Sequence, residues 1–515
     1  MNNTWKHTLF TLWLALGFSV PMVASAQLPE TIMIETGLIQ GEAADNSDVT
    51  VFRGIPYAAP PVGENRWRPP QPPASWSGVR PATQFGPRCV QRGFAPGAQQ
   101  VLSSEDCLYL NVWTPARSQD ELHPVMLWIH GGGFFGGSGN APQYDAQHLA
   151  AKGAIVVTFN YRLGTFGFFA HPELTSESPD NASGNYAMLD AIAALEWIYD
   201  NVSAFGGDPT NVTVFGESAG AAAIANLLAS PLSRGLIHRA ILQSRADNPV
   251  LGISTTEQTT LAQAEAAGLQ QMRDFGASSL AELRAASSLD IFENFPGGGS
   301  VIVDGWFLEK PVFQVFADGE QHPVYMMAGT NRDEANFFGP GIPDLETYRD
   351  TVNDLYGDQA DEFFSLYPAS NDAEANAMGK QAFNDEMAFL ARNMVGYQAD
   401  WGLASYVYFF TRVPPGTNRG ATHVAELAYV FNQFDQHPEW TDADRELADA
   451  MATYWVNFAR SSRAAGPDLP QWNDFRGNEP GNVMILGEDI GMDTDMVPSA
   501  EKLEFFQEAH FEALD

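Results

Sequence analysis

The run Asn211-Val212-Thr213-Val214-Phe215, then Gly216-Glu217-Ser218-Ala219-Gly220, then an alanine-rich stretch to Leu228, constrains the fold more than any other part of the chain. Val212 to Phe215 reads as a buried strand, and Ala219 to Leu228 as a helix of high intrinsic propensity. Only a glycine-flanked serine separates them. A strand that turns into a helix this abruptly belongs to a βα unit, and such units build a mostly parallel sheet with helices on both faces.

The rest of the chain repeats that alternation. Val125 to Ile129, Ala154 to Phe159, Ala240 to Leu242, Val324 to Met327 and Tyr406 to Phe410 read as further buried strands, and Asn185 to Asn201 carries helical periodicity. The expected architecture is α/β. Residues 27–115 are rich in Pro, Gly and Arg, with a hairpin expected at Gly37 to Gly41, and read as an N-terminal extension of the sheet. Two helical, polar regions, about 252–300 and 340–400, read as insertions layered over the mouth of the sheet, where ligand clefts of α/β folds lie. No linker divides residues 27–515, so one domain is expected.

The first residues point to export. Lys6, an apolar core from Leu9 to Val20 too short to span a bilayer, and Ala24-Ser25-Ala26 before Gln27 form a signal peptide cleaved after Ala26. No stable membrane anchor is expected, and the destination is periplasmic or secreted. Cys89 and Cys107 are the only cysteines, and an even count in an exported chain reads as a disulfide. The net charge of -36 excludes nucleic acid and anionic lipid as partners. No His/Asp cluster calls for a metal, and no cofactor is expected.

Three elements carry chemistry. Gly216 to Gly220 has the form G-x-S-x-G, a strand-to-helix turn that exposes a nucleophilic serine above a sheet. A serine hydroxyl needs a general base, normally histidine oriented by a carboxylate, in the chain order Ser, acid, His. Of the five histidines after Ser218, His238 and His322 precede strands, His437 has no strand before it, and His510 sits in a helical stretch; His423 alone follows a strong strand through a loop. For the acid, Asp333 and Glu334 follow the strand at Val324, and Asp304 follows Val301-Ile302-Val303. The residues alone leave all three open. His130-Gly131-Gly132-Gly133-Phe134 follows another strand and matches the glycine loop that supplies oxyanion N–H donors in esterases and lipases.

With these pieces the chain resembles the type B carboxylesterase family, the α/β-hydrolases that include cholinesterases and bile-salt-dependent lipases. The resemblance runs from about Gly37 to Gly487 through Phe52 to Ala58, Ser104 to Asn111, Gly131 to Phe134, Phe205 to Pro209, Gly216 to Ala221 and Gly420 to His423. It implies an α/β-hydrolase fold and a serine carboxylic-ester hydrolase acting on small-molecule esters through Ser218, Glu334 and His423. Oxyanion donors would come from Gly132, Gly133 and Ala219. It further implies a Cys89 to Cys107 bridge, a salt bridge between Arg53 and Glu105, and a gorge lined by Glu217 and Phe134. The chain departs from the family at Arg245, where glycine is usual; this cation either enters the pocket or points to the surface. Within the family, lipase, amidase and carbamate hydrolase activities are the alternatives, and a non-catalytic binding module is the remote one.

Overall fold

A computed structural model describes residue 1 and residues 28–45, 48–91, 103–245, 258–295, 299–477, 480–494 and 497–511. The expected signal peptide, beyond Met1, lies outside the described residues. Among them, eleven strands form one sheet: β1 (Glu42–Ala43), β2 (Thr50–Pro56), β3 (Tyr109–Thr114), β4 (His123–Ile129), β5 (Ile155–Phe159), β6 (Gly207–Glu217), β7 (Arg239–Gln243), β8 (Tyr325–Asn331), β9 (Ser405–Phe410), β10 (Val483–Leu486) and β11 (Ile490–Met492). Their order in space is β11-β10-β9-β8-β7-β6-β4-β5-β3-β2-β1. Pairing is parallel from β10 through β5 and antiparallel at both flanks. Thr31–Ile34, Gly37–Gln40 and Val79–Pro81 form a separate small sheet. Its hairpin turns at Glu35 and Thr36, so Gly37 opens a strand instead of starting the turn.

Strand residues alternate between two apolar cores because successive side chains point to opposite faces. Val125, Leu127, Ile129, Val212, Val214, Ala240 and Leu242 enter one core, together with helices α1 (Tyr186–Asn201) and α2 (Ala219–Ala229). Met126, Trp128, Phe215, Ile241, Met327 and Tyr408 enter the other, closed by Leu447, Met451 and Trp455 of a helix near the chain's end. A sheet buried on both faces explains why its strands read as continuous apolar runs.

The two expected insertions differ in kind. Leu261–Phe275, Leu280–Ala285 and Ser288–Asn294 are short helices with largely exposed surfaces. The second region ends in α3 (Asp372–Ala399), which connects β8 to β9 and packs against both strands. From Asp385 onward it is mostly buried, with Asp385, Glu386 and Arg392 among the buried residues. Buried polar residues blur the apolar stripe by which such a helix is normally read.

Cys89 and Cys107 are joined. The salt bridge expected for Arg53 is instead made by Arg66, whose Nε and Nη2 lie 2.7 and 2.6 Å from Glu105. Arg53 sits on β2 beside β1 and pairs with Glu42 of that neighbouring strand. Arg66 comes from the loop after β2, and its remaining donors reach the carbonyls of Leu283 and Ala286. No helix of the described residues is long and apolar enough to cross a membrane.

Candidate active site

The turn after β6 holds Ser218 at φ 58° and ψ −125°, outside the regions an L-residue normally occupies. Such a backbone costs roughly 1–3 kcal/mol and persists only where its surroundings enforce it. Two contacts do so. The Ser218 N–H donates to the Gln243 carbonyl at 2.9 Å, tying the turn to β7. Gly220 packs so closely under β4 that a Cβ there would lie 2.0 Å from the Ile129 carbonyl oxygen. Ser218 is thereby lifted to the carboxyl edge of the sheet at the start of α2.

The glycine loop after β4 passes directly over this turn. A Cβ on Gly131 would meet the Ser218 Cβ at 3.0 Å and Glu217 Oε2 at 2.8 Å. His130 anchors the loop: it is fully buried, stacks on Tyr161 at 4.3 Å, and its carbonyl accepts the Tyr161 hydroxyl at 2.6 Å. Burial pushes the His130 imidazole down to about 4, so it is neutral. Gly132 and Gly133 adopt φ of 108° and 63°. Their N–H groups and that of Ala219 donate to nothing among the described residues. Ala219 opens α2, where unpaired N–H groups and the helix dipole favour negative charge.

The candidate acid and base meet where the loops after β8 and β9 converge. Glu334 is fully buried; its Oε1 accepts from Thr330 Oγ1 and the Asn331 N–H, both at 2.7 Å, and its Oε2 lies 2.5 Å from His423 Nδ1. The other candidate acids are engaged elsewhere. Asp333 accepts the Ala421 N–H at 2.7 Å and pairs with Arg332. Asp304 accepts three successive N–H groups, from Trp306, Phe307 and Leu308, so it caps a turn. The other histidines lie apart from this cluster: His238 Nδ1 accepts from Val212, His437 pairs with Glu439, His510 pairs with Glu386, and His322 is buried ahead of β8.

On the far side of the ring, His423 Nε2 lies 3.0 Å from Glu217 Oε1 and makes no hydrogen bond with Ser218. Burial pushes the Glu217 carboxyl up to about 8. For His423, burial disfavours the charged ring, yet the carboxylates of Glu217 and Glu334 outweigh it and raise its pKa. Glu334 is held below the usual carboxylate range because the imidazole beside it outweighs the effect of burial. The two sides of one ring thus offer a fixed carboxylate at Nδ1 and a titrating one at Nε2.

Phe134 is buried against Phe168, with ring centroids 5.3 Å apart. Arg245 is buried as well: its guanidinium lies over the Phe313 ring at 5.1 Å and its Nη1 is 2.7 Å from Met394 Sδ, which excludes a surface-directed side chain. The phenyl rings of Phe337 and Phe338, with centroids 5.2 and 4.8 Å from that of His423, are 44% and 49% exposed and form an apolar rim at the imidazole. Reasoning from sequence singled out neither ring, nor Gln243, Asn331 and the buried Glu426. The proximity of Phe337 and Phe338 to Glu334 and of Glu426 to His423 was the available signal. Among the described residues no group of His, Cys, Asp or Glu could hold a metal ion.

The Carboxylesterase family model matches residues 29–506. A fumonisin B1 esterase from Sphingopyxis macrogoltabida is 38% identical over 92% of this chain and 89% of its own length. The para-nitrobenzyl esterase of Bacillus subtilis (strain 168) is 34% identical over 92% of this chain and 97% of its own. A solved thermophilic pNB esterase superposes with a TM-score of 0.80 at 31% identity, covering 93% of this chain and 99% of that one.

Proposed function

The chain belongs to the carboxylesterase family and has its α/β-hydrolase fold, and we propose that it hydrolyses small to medium carboxylic esters through Ser218, His423 and Glu334. The observation that carries the reading is the 2.5 Å contact between Glu334 Oε2 and His423 Nδ1, formed at the same sheet edge as the strained Ser218 turn.

In the proposed reaction the substrate draws Ser218 Oγ onto His423 Nε2, a contact that in unliganded enzymes is commonly loose and tightens on binding. Nε2 takes the Oγ proton as Oγ attacks the ester carbonyl, and Glu334 stabilises the imidazolium. Negative charge on the carbonyl oxygen is held by the N–H groups of Gly132, Gly133 and Ala219, which donate to no other group among the described residues, and this supports that role. The alcohol leaves with the proton from Nε2. Water then repeats the sequence on the acyl-enzyme, releasing the acid and restoring Ser218.

The exposed rings of Phe337 and Phe338 support an apolar group beside the scissile bond. A series of p-nitrophenyl esters of increasing acyl length, with an anilide control, separates esterase from lipase and amidase preference. Ser218→Ala is expected to lower kcat on p-nitrophenyl acetate by about 10⁴-fold or more with the fold unchanged; turnover at the wild-type rate would overturn the assignment. For the whole chain, the paired cysteines and the early apolar segment support a single exported domain with helical insertions.

A further inference from the structure

β8 ends at Asn331, which is fully buried and three residues ahead of Glu334. Its backbone N–H donates to Glu334 Oε1 at 2.7 Å. Its side-chain amide donates in two directions, to the Thr422 carbonyl at 2.9 Å and to Glu426 Oε2 at 2.6 Å. Those two acceptors stand on either side of His423 in the chain. One residue therefore grips the acid with its main chain and both ends of the base-bearing turn with its side chain.

Glu426 is the anchor for this grip. It is fully buried, and its other oxygen accepts Gln243 Nε2 at 3.0 Å. Gln243 Oε1 is itself fixed by Trp455 Nε1 at 3.1 Å, and the Gln243 carbonyl is the group that receives the Ser218 N–H. A continuous set of hydrogen bonds thus runs from the serine turn through Gln243, Glu426 and Asn331 to Glu334 and the His423 turn.

Resting on the proposed roles of Ser218, His423 and Glu334, we infer that Asn331 is a positioning residue that sets the His423 ring against Glu334, with Glu426 as its anchor. Only a primary amide has two N–H donors for two acceptors in this geometry. Aspartate is isosteric but donates nothing and sets a carboxylate against Glu426. Leucine leaves the Thr422 carbonyl and Glu426 Oε2 buried without donors. Displacing a reacting group by about 1 Å lowers rate by about 10²-fold, and binding of the ester need not change.

The test uses the full chain as wild type, Asn331→Asp, Asn331→Leu, Asn331→Asp/Glu426→Gln and Ser218→Ala. A portion of each serine-bearing protein is titrated to completion with a fluorophosphonate, so that kcat of the untreated remainder is expressed per reactive serine, and KM and thermal unfolding are measured alongside; Ser218→Ala, which has no such serine, is assayed per mole of protein. The expected result is a loss of about 10²-fold in kcat per labelled site for both single Asn331 variants, with KM within about twofold. Asn331→Asp/Glu426→Gln, which puts the amide donor on the opposite partner, regains about tenfold. Wild-type kcat per labelled site in both single variants, even with lowered melting temperature and a smaller labelled fraction, would make Asn331 a stability residue only and overturn the inference. If Ser218→Ala itself turns over ester, the assignment of the site fails; if it is inactive while the Asn331 variants are unimpaired, only the positioning role fails.

Discussion

Glu217 has a neighbour on each side: its own chain places it next to Ser218, and the fold places its Oε1 3.0 Å from His423 Nε2. The carboxylate and the imidazole titrate as a pair, since negative charge on one favours the proton on the other. In the proposed reaction His423 must be neutral to accept the Ser218 proton. Removing the Glu217 charge makes the imidazolium less favourable, so Glu217→Gln is expected to move the acid limb of the kcat/KM profile to lower pH. A pH–rate profile with p-nitrophenyl acetate measures this, and an unmoved limb would mean that Glu217 carries no charge beside the ring. At this scale Ser218 and His423 could be put forward as candidates from the sequence, because a glycine-flanked turn and a loop after a strand leave local signatures. Glu334 was not separable from Asp333 by residue type or spacing; what separates them is that Asp333 turns to Ala421 and Arg332. Asn331 and Glu426 are 95 residues apart, and nearness in sequence to Glu334 and His423 gave no sign that they pair.

Among the elements, the helix Asp442–Ser461, which we label α4, shows how the second core is pinned. Thr441 and Asp444 form a capping box at its start. Asp444, fully buried, also accepts Arg412 Nε and Nη2 at 2.7 and 3.0 Å and the Tyr429 hydroxyl at 2.8 Å. One carboxylate thereby joins the helix to the exit of β9. Burial works against the ionised form, but these donors outweigh it and hold Asp444 well below its ordinary 3.8. Because the folded value is depressed, its stabilisation is complete above 3.8 and is lost as pH falls below that. Asp444→Asn is expected to cost about 2 kcal/mol at neutral pH, and the deficit should shrink in denaturant titrations carried below pH 3.8. A deficit independent of pH would show that packing, not charge, is what the substitution removes. The sheet strands were legible as apolar runs for the reason given by their two buried faces. The long helix α3 read as polar because Asp385, Glu386 and Arg392 are buried in it among partners that only the folded chain provides.

Over the whole molecule, the Cys89–Cys107 bridge closes a loop with a sequence separation of 18. Glu105, two residues before the second cysteine, takes the buried Arg66 bridge that also reaches the helix Leu280–Ala285. The disulfide thus restrains the segment that holds Arg66 against that helix. Reduction, or Cys89→Ser with Cys107→Ser, is expected to lower unfolding free energy by about 3 kcal/mol, measured by denaturant titration with and without reductant. An unchanged midpoint would mean that the loop is already ordered in the unfolded ensemble. Periodicity, the serine turn, the glycine loop and the cysteine count act over a few residues, so the α/β alternation and the class of chemistry could be read, and Ser218 proposed as nucleophile, from the sequence alone. The engagement of Asp333 away from His423, the Arg66 to Glu105 pairing, the carboxylate at His423 Nε2 and the Asn331 frame rest on contacts between residues far apart in the chain, whereas Glu334 was implied by the family resemblance and not by spacing. Such contacts depend on burial and hydrogen-bond satisfaction in the packed interior, and no local pattern of residues encodes which partner lies opposite.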